Sequence, residues 1–260
     1  MGLTSVEIPL YWQVIEDQLF DLRRADDLLD LAEDNGVRMH AGTAAIDLAL
    51  PFDIVGLPIS AETVAFNIEL AKRVIDVGAS LGLEVIRVCE PNIEAPHLDI
   101  ADAYMEAYGF ALNGLGGYAE TRGLKVVAEN YGITAAQTRT LLDAADHPNV
   151  GTLFDPCNYF RIGDDPVDAL RLMGDKVFYC HLKDAISDDQ RASTDLYADS
   201  RWRPSVAVGQ GDIDWHTLIP ALASVYAGIV AIEYEMPDDV VAATAVSRDF
   251  LLDFSAVRTS

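Results

Sequence analysis

The chain has 260 residues, of which 18 are basic and 42 acidic, so its formal net charge is −24 at neutral pH. This negative field repels nucleic-acid phosphates and anionic lipid surfaces, and no run of Lys or Arg is long enough to form a local basic patch. Half of the residues are hydrophobic, which is enough for a large core. We therefore expect a single domain over residues 1–260 that binds neither nucleic acid nor membrane.

Three cysteines are scattered along the chain without a Cys-x-x-Cys pair, at positions Cys89, Cys157 and Cys180. An odd number without a pairing pattern is not typical of a disulfide framework, so a reducing compartment is expected. The first residues lack a basic segment followed by an apolar run, and no stretch reaches the roughly 18 apolar residues of a membrane-spanning helix. These features predict a cytoplasmic protein.

Short apolar runs rich in Val and Ile alternate with longer segments of helical periodicity, and several runs follow a glycine that would end the preceding helix. This alternation is typical of a parallel sheet covered by helices, and the chain length suits a TIM (β/α)₈-type barrel. The predicted strands are Ser5–Pro9, Val37–Ala41, Glu84–Cys89, Leu124–Asn130, Val150–Asp155, Val177–Leu182 and Ile229–Glu235. The predicted helices lie near Asp26–Asp34, Ala61–Leu81, His97–Thr121, Ala135–Asp146, Pro166–Met173, Trp215–Tyr226 and Asp238–Phe254.

Seven strands are recognised where a closed barrel of this type has eight. Either a strand has been overlooked, with Ala45–Leu50 as the candidate, or the chain lacks the first βα unit of the barrel. A sheet with two open apolar edges invites association, so a homo-oligomer is a further expectation. The longest irregular segment, about Ser187–Gly211, is long enough to predict a functional loop. Within it, Arg203 beside Trp202 is a candidate for closing over a substrate.

Ionisable residues close the last four predicted strands, and the carboxyl ends of the strands are where such barrels carry their active sites. Buried charge is costly unless it is paired or bound to a cation, and converging carboxylates repel one another. A divalent cation removes this repulsion. Carboxylates with one imidazole suit Mn²⁺ as first choice, with Mg²⁺, Co²⁺ or Zn²⁺ as alternatives. The sequence therefore predicts one divalent metal ion held by Glu129, Asp155, His181 and Glu233.

Five segments, mostly in the second half of the chain, carry a family pattern: Val126–Gly132, Gly151–Phe160, Val177–Ala185, Val208–Trp215 and Ala231–Glu235. They resemble the sugar phosphate isomerase/epimerase family of the xylose-isomerase-like TIM barrel superfamily. The resemblance implies the same four metal ligands, with Glu129 and Glu233 also acting as the acid–base pair. The family has a strand, loop and helix before its counterpart of Ser5–Pro9, which favours an absent first unit over an overlooked strand.

Further polar residues near the strand ends are candidates for substrate binding, each weighed against an ordinary structural role. Lys183 has the same strand parity as His181, so its cation is placed to stabilise an enolate-like oxygen. Glu235 likewise has the same strand parity as Glu233. Asp184 is interpreted either as an acceptor that orients His181 or as a loop residue. The candidates for substrate binding are His40, Asn130, Asn158, Lys183, Arg203 and Glu235.

Asn158 departs from the family pattern, because family epimerases often carry His at the corresponding position. An amide can bind a hydroxyl but cannot shuttle a proton, which puts a proton relay at this position in doubt. The alternative interpretation of Asn158 is a turn residue after Pro156. Asp212 and Asp214 are predicted to cap the helix that begins near Trp215.

The leading functional hypothesis is a divalent-metal-dependent isomerase or epimerase of a sugar-like substrate, working by proton transfer through a metal-stabilised enediolate. A lyase on the same scaffold is the first alternative, with a keto-inositol, a dehydroshikimate-like acid or a C-glycoside as substrate. It would share the initial proton abstraction. An endonuclease acting at abasic DNA is disfavoured by the net charge of −24. A non-catalytic ligand-binding member is disfavoured by the intact ligand set.

Overall fold

The computed structural model describes residues 2–10, 22–46, 48, 61–91, 101–187, 205–236 and 239–257. Contacts divide the chain into two compact units, Gly2–Leu153 and Phe154–Ser260, which we call the N-terminal and C-terminal units. The expectation of one domain over residues 1–260 stays a prediction. In the part of the chain that the structure describes, every helix is too short or too polar to cross a membrane.

The N-terminal unit is built from βα repeats whose strands pair in chain order, each parallel to the next. Parallel strands buried on both faces need continuous apolar runs, and the residues of β3 and β5 are buried throughout. The elements are β1 (Ser5–Pro9), α1 (Leu22–Asp34), β2 (Arg38–Thr43), α2 (Ala61–Ser80), β3 (Val85–Cys89), α3 (Ala101–Glu120), β4 (Lys125–Glu129), α4 (Ala135–Ala145) and β5 (Val150–Phe154).

Glycines end three of these helices, as the sequence predicts. Gly36, Gly82 and Gly123 have φ values of 61°, 67° and 72°, and each lies between a helix and the next strand. This left-handed backbone is strained for residues with a side chain, so glycine fixes where each helix stops and each strand starts. Helix α4 begins with a capping box, in which Thr134 and Gln137 each accept a hydrogen bond from the other's backbone N–H.

The C-terminal unit contains two further parallel strands, β6 and β9, which pair with His181 opposite Ala231. A short antiparallel pair, β7 and β8, forms a separate two-stranded sheet in this unit. The elements are α5 (Pro156–Ile162), α6 (Pro166–Met173), a 3₁₀ turn (Gly174–Lys176), β6 (Val177–Leu182), β7 (Asp184–Ala185), β8 (Ser205–Val206), α7 (Trp215–Val225), β9 (Val230–Ile232) and α8 (Val240–Val257).

All seven predicted strands are present, and five of them have bounds that differ from the prediction by one to three residues. The last strand ends at Ile232 rather than Glu235, and a seven-residue helix, α5, follows β5, so the alternative interpretation of Asn158 as a turn residue after Pro156 is wrong. Proline suits the first position of a helix because its missing N–H would have no helical partner there. Residues 45, 46 and 48 are not in a strand, and the remainder of the candidate strand Ala45–Leu50 lies outside the described residues.

Asp184 holds the segment after β8 together. Its carboxylate accepts hydrogen bonds from the N–H groups of Gly209 and Gly211, both 3.0 Å, and from Nε1 of Trp215 at 2.6 Å. We therefore assign Asp184 a structural role in this loop, which is one of the two interpretations open from the sequence. Asp214 caps α7 as predicted, but Asp212 instead accepts hydrogen bonds from Ser187.

Helix α3 approaches α4 so closely at Gly109 that a Cβ atom there would lie 2.5 Å from both the Leu141 carbonyl oxygen and the Ala144 Cβ. We predict that Gly109→Ala lowers the free energy of unfolding by about 1–3 kcal/mol, because one helix must move. The matched control is Gly114→Ala on the same helix, where a Cβ would meet nothing within 4 Å. That change should add about 0.5–1 kcal/mol through helix propensity. Urea unfolding of both variants measures the difference, and equal effects would contradict the close approach.

Candidate metal centre

Asp155 lies directly after β5 and is the N-cap of α5. Its Oδ1 accepts hydrogen bonds from the backbone N–H groups of Cys157 and Asn158, at 2.8 and 3.1 Å. Its Oδ2 lies 3.0 Å from the ammonium of Lys183, and the residue has no solvent exposure. The helix start therefore fixes the carboxylate, and one oxygen is turned towards the other polar groups of the unit.

His181 and Glu233 reach the same place from neighbouring strands. His181 is in β6, and Glu233 directly follows β9, where its N–H donates to the carbonyl of Leu182 at 3.0 Å. The His181 Nδ1 atom lies 3.3 Å from Oε2 of Glu233. Together with Asp155, these residues offer ligand atoms that lie within 4.8 Å of one another. The C-terminal unit thus gathers three of the four predicted ligands.

Lys183 places a buried cation among these acids. Its Nζ lies 2.7 Å from Glu233, 2.9 Å from Glu235 and 3.0 Å from Asp155. Burial alone would lower the pKa of Lys183, but the three carboxylates raise it well above its usual range. Burial would likewise raise the pKa of Glu233, but Lys183 and His181 hold it well below its usual range. Both groups are therefore ionised at neutral pH.

Glu235 lies between two cations. Its Oε1 accepts from Lys183, and its Oε2 accepts from the Arg161 guanidinium at 2.8 Å. Arg161, in the last turn of α5, also donates to Oδ1 of Asn158 at 3.3 Å. The Glu235 N–H donates to the Ser205 hydroxyl at 2.8 Å. Glu235 is therefore held by three hydrogen-bonded partners, and both of its carboxylate oxygens take part in ion pairs.

The donors in the C-terminal unit fit a divalent cation. Two carboxylates and one imidazole, buried or partly buried and close together, are ligand types that divalent cations such as Mn²⁺ and Zn²⁺ bind. Burial raises the pKa of the Cys157 and Cys180 thiols, and neither cysteine is among the clustered donors. The arrangement can hold a metal through oxygen and nitrogen donors, with Lys183 as an additional cation beside them.

Glu129, the fourth predicted ligand, belongs to the N-terminal unit and is the last residue of β4. It is buried and accepts a hydrogen bond from the Arg87 guanidinium, which also pairs with Glu90. In the register of β4 with β5, Glu129 is opposite Leu153, two residues before Asp155. Arg87 was missed in the sequence, although an arginine within the buried run of β3 is itself a signal of a charged partner.

The remaining predicted residues are placed as follows. Asn130 is fully buried after Glu129, and Asn158 is buried in the first turn of α5, not in a turn outside a helix. His40 does not end its strand as expected, because β2 continues to Thr43. Its carbonyl accepts from the N–H of Glu84, so it lies towards the amino ends of the strands, away from the ends that carry Glu129. Arg203 lies outside the described residues.

The chain belongs to the Xylose isomerase-like TIM barrel family, which it matches over residues 1–253. The predicted family and fold class are therefore confirmed. Among curated proteins, the chain is 29% identical over 175 residues to inosose dehydratase of Clostridium perfringens. That match covers 60% of this chain and 59% of the relative, so the chain spans less than two thirds of the relative's length.

Solved structures share the fold at low sequence identity. The IOLI protein with a bound zinc atom superposes with a TM-score of 0.75 at 19% identity, covering 97% of this chain and 88% of that one. A D-tagatose 3-epimerase-like protein gives a TM-score of 0.75 at 17% identity, covering 100% and 92%. At sequence identities this low, the comparison shows a shared fold only.

We predict that His181→Ala weakens Mn²⁺ binding by at least about 100-fold, because it removes a nitrogen ligand from the cluster. The melting temperature of the metal-free protein should change little. The matched control is His216→Ala, which removes an exposed histidine of the same unit and should leave Mn²⁺ affinity unchanged. Equilibrium dialysis measures the affinities. Full Mn²⁺ affinity in His181→Ala would exclude this histidine as a ligand.

Proposed function

We propose that the protein is a divalent-metal-dependent enzyme that isomerises or epimerises a sugar-like keto or polyhydroxy substrate. The observation that carries the proposal is the cluster in the C-terminal unit, where Asp155, His181 and Glu233 offer ligand atoms within 4.8 Å of one another. Membership of a family that is named for xylose isomerase supports this class of reaction. We further propose a small-molecule substrate and a cytoplasmic location, with no nucleic-acid or membrane partner.

In this proposal Glu129 completes the ligand set of Asp155, His181 and Glu233. Its position as the buried last residue of β4, at the end of a strand where barrels of this kind carry their active sites, supports the assignment. Mn²⁺ is the first choice of metal, with Mg²⁺, Co²⁺ and Zn²⁺ as alternatives. When bound, the metal would polarise neighbouring substrate oxygens and so make the adjacent C–H more acidic.

The protein's own residues move the proton. Glu233 is ionised at neutral pH, because Lys183 and His181 hold its pKa low, so it can accept a proton from the carbon next to a carbonyl. Glu129, paired with Arg87, is the partner carboxylate that accepts or returns a proton on the opposite face of the substrate. Removal on one face and return on the other inverts the carbon, which is epimerisation. Return to the neighbouring carbon, together with transfer of the hydroxyl proton to the former carbonyl oxygen, is isomerisation.

Neighbouring polar groups would bind and orient the substrate. The Lys183 ammonium is placed to stabilise negative charge that develops on a substrate oxygen, next to the base Glu233. Asn130 and Asn158 are buried amides that can bind hydroxyl groups but cannot carry a proton between carbons. A direct substrate contact by Glu235 is less well supported, since its carboxylate is held by Lys183 and Arg161.

A dehydratase is the second candidate, and the similarity to inosose dehydratase over 175 residues favours it among lyases. The same proton abstraction by a glutamate would start the reaction, but loss of a β-hydroxyl as water would follow in place of reprotonation. A dehydroshikimate-like acid or a C-glycoside would be processed through the same first step. These reactions can therefore be distinguished by their products, but not by the first step, which they share.

The experiment is a substrate screen in D₂O with protein stripped by a chelator and then reloaded with Mn²⁺. Ketoses, inososes and keto-glycosides are each followed by proton NMR. Deuterium incorporation with a new sugar isomer supports the isomerase or epimerase, and an alkene or enol product with loss of water supports the dehydratase. No exchange with any substrate, or equal activity with and without metal, would contradict the proposal.

We predict that Glu129→Gln and Glu233→Gln each lower kcat by about 10²–10⁴-fold, because an amide cannot accept the proton. The matched control is Glu106→Gln on the exposed face of α3, which should retain full turnover. Steady-state kinetics on the substrate identified by the screen measure the losses. If Glu129→Gln kept near-full turnover, Glu129 could not be an acid–base residue.

A further inference from the structure

Lys183 contacts the same acids that are proposed to bind the metal. Its Nζ lies 3.0 Å from Oδ2 of Asp155 and 2.7 Å from Oε2 of Glu233. The other oxygen of Asp155 is occupied by backbone N–H groups of α5, so Oδ2 is the atom available to a cation. The Lys183 ammonium and a divalent metal would therefore compete for the same two carboxylates, those of Asp155 and Glu233.

A third carboxylate, Glu235, offers the ammonium a different partner. Its Oε1 is 2.9 Å from Nζ of Lys183, and it is not one of the clustered ligands. Arg161 fixes this carboxylate through Oε2, at 2.8 Å. Because α5 carries Asp155 as its N-cap and Arg161 in its last turn, one short helix sets the positions of both the ligand and the anchor of Glu235.

We propose that Lys183 is a built-in competitor for the metal, and that Glu235, held by Arg161, draws the Lys183 ammonium away from the ligands Asp155 and Glu233. This inference rests on the proposed metal site and adds a control of its affinity. A positive charge within about 4 Å of a bound cation repels it strongly in a poorly solvated site. Glu235 offsets that repulsion without itself binding the metal.

The proposal predicts that two substitutions change the affinity for Mn²⁺ in opposite directions. Lys183→Met should tighten Mn²⁺ binding about tenfold or more, because the competing charge is gone. Glu235→Gln should weaken Mn²⁺ binding by a similar factor, because the ammonium then concentrates on Asp155 and Glu233. The double variant should bind Mn²⁺ like Lys183→Met alone, since Glu235 acts through Lys183.

The measurement is isothermal titration of the full-length, metal-stripped chain with Mn²⁺ alone at one fixed pH and salt concentration. Lys183→Gln is the second variant at this position, because it keeps hydrogen-bond donors for the buried carboxylates while removing the charge. Arg171→Met on α6 is the matched control, as it deletes an exposed cation of the same unit and should leave the affinity unchanged. Circular dichroism checks that each variant folds.

Each outcome decides the proposal. Unchanged or weaker Mn²⁺ binding in the folded Lys183 variants would overturn it, as would an equal effect of Glu235→Gln with and without Lys183. If neither Lys183 variant folds, the Glu235→Gln variant decides the question by itself, and an unchanged affinity for Mn²⁺ in that variant would overturn the proposal. Binding by Lys183→Gln but not by the natural sequence supports the competition while contradicting the proposed metal dependence. Binding by neither removes the metal site and the inference together.

Discussion

Three carboxylates around one buried ammonium set the character of the C-terminal unit. Asp155, Glu233 and Glu235 would repel one another strongly if Lys183 were absent, because the interior offers little water to screen them. The strand ends that bring these acids together therefore require a cation. Lys183 supplies one positive charge, and the His181 imidazole beside the carboxylates adds a nitrogen ligand for the proposed divalent metal. In the proposed function, the carboxylates whose mutual repulsion requires a cation are also the groups that bind the metal.

The sequence predicted the framework well because each element leaves a local signature. The apolar runs of β1 and β6 have the predicted bounds, and Gly36, Gly82 and Gly123 mark helix ends through their left-handed backbone. The cluster of Asp155, His181 and Glu233 could be predicted because strand ends of parallel sheets lie at one edge. That rule needs only the positions of strands, and not their packing.

Other features depend on contacts that the sequence does not carry. Helix α5 has seven residues, too few for a clear periodicity, so its proline start resembled a turn. His40 was misplaced because the strand continues through Ala41-Gly42-Thr43, which lacks the apolar pattern of its neighbours. Arg161 was not recognised, since a long side chain can reach a partner such as Glu235, 74 positions away, only once the chain is folded. Ion pairs of this kind become visible only in three dimensions.

The capping role of Asp155 has a consequence for how a metal could be coordinated. Oδ1 accepts hydrogen bonds from the N–H groups of Cys157 and Asn158, so in the proposed metal site Oδ2 would be the ligand atom and the carboxylate would be monodentate. A monodentate aspartate takes up one coordination position where a bidentate one takes two. Under the proposed function, the position that this spares would be open to a second substrate oxygen, so the hydrogen bonds at this helix N-terminus would favour chelation of two neighbouring substrate oxygens.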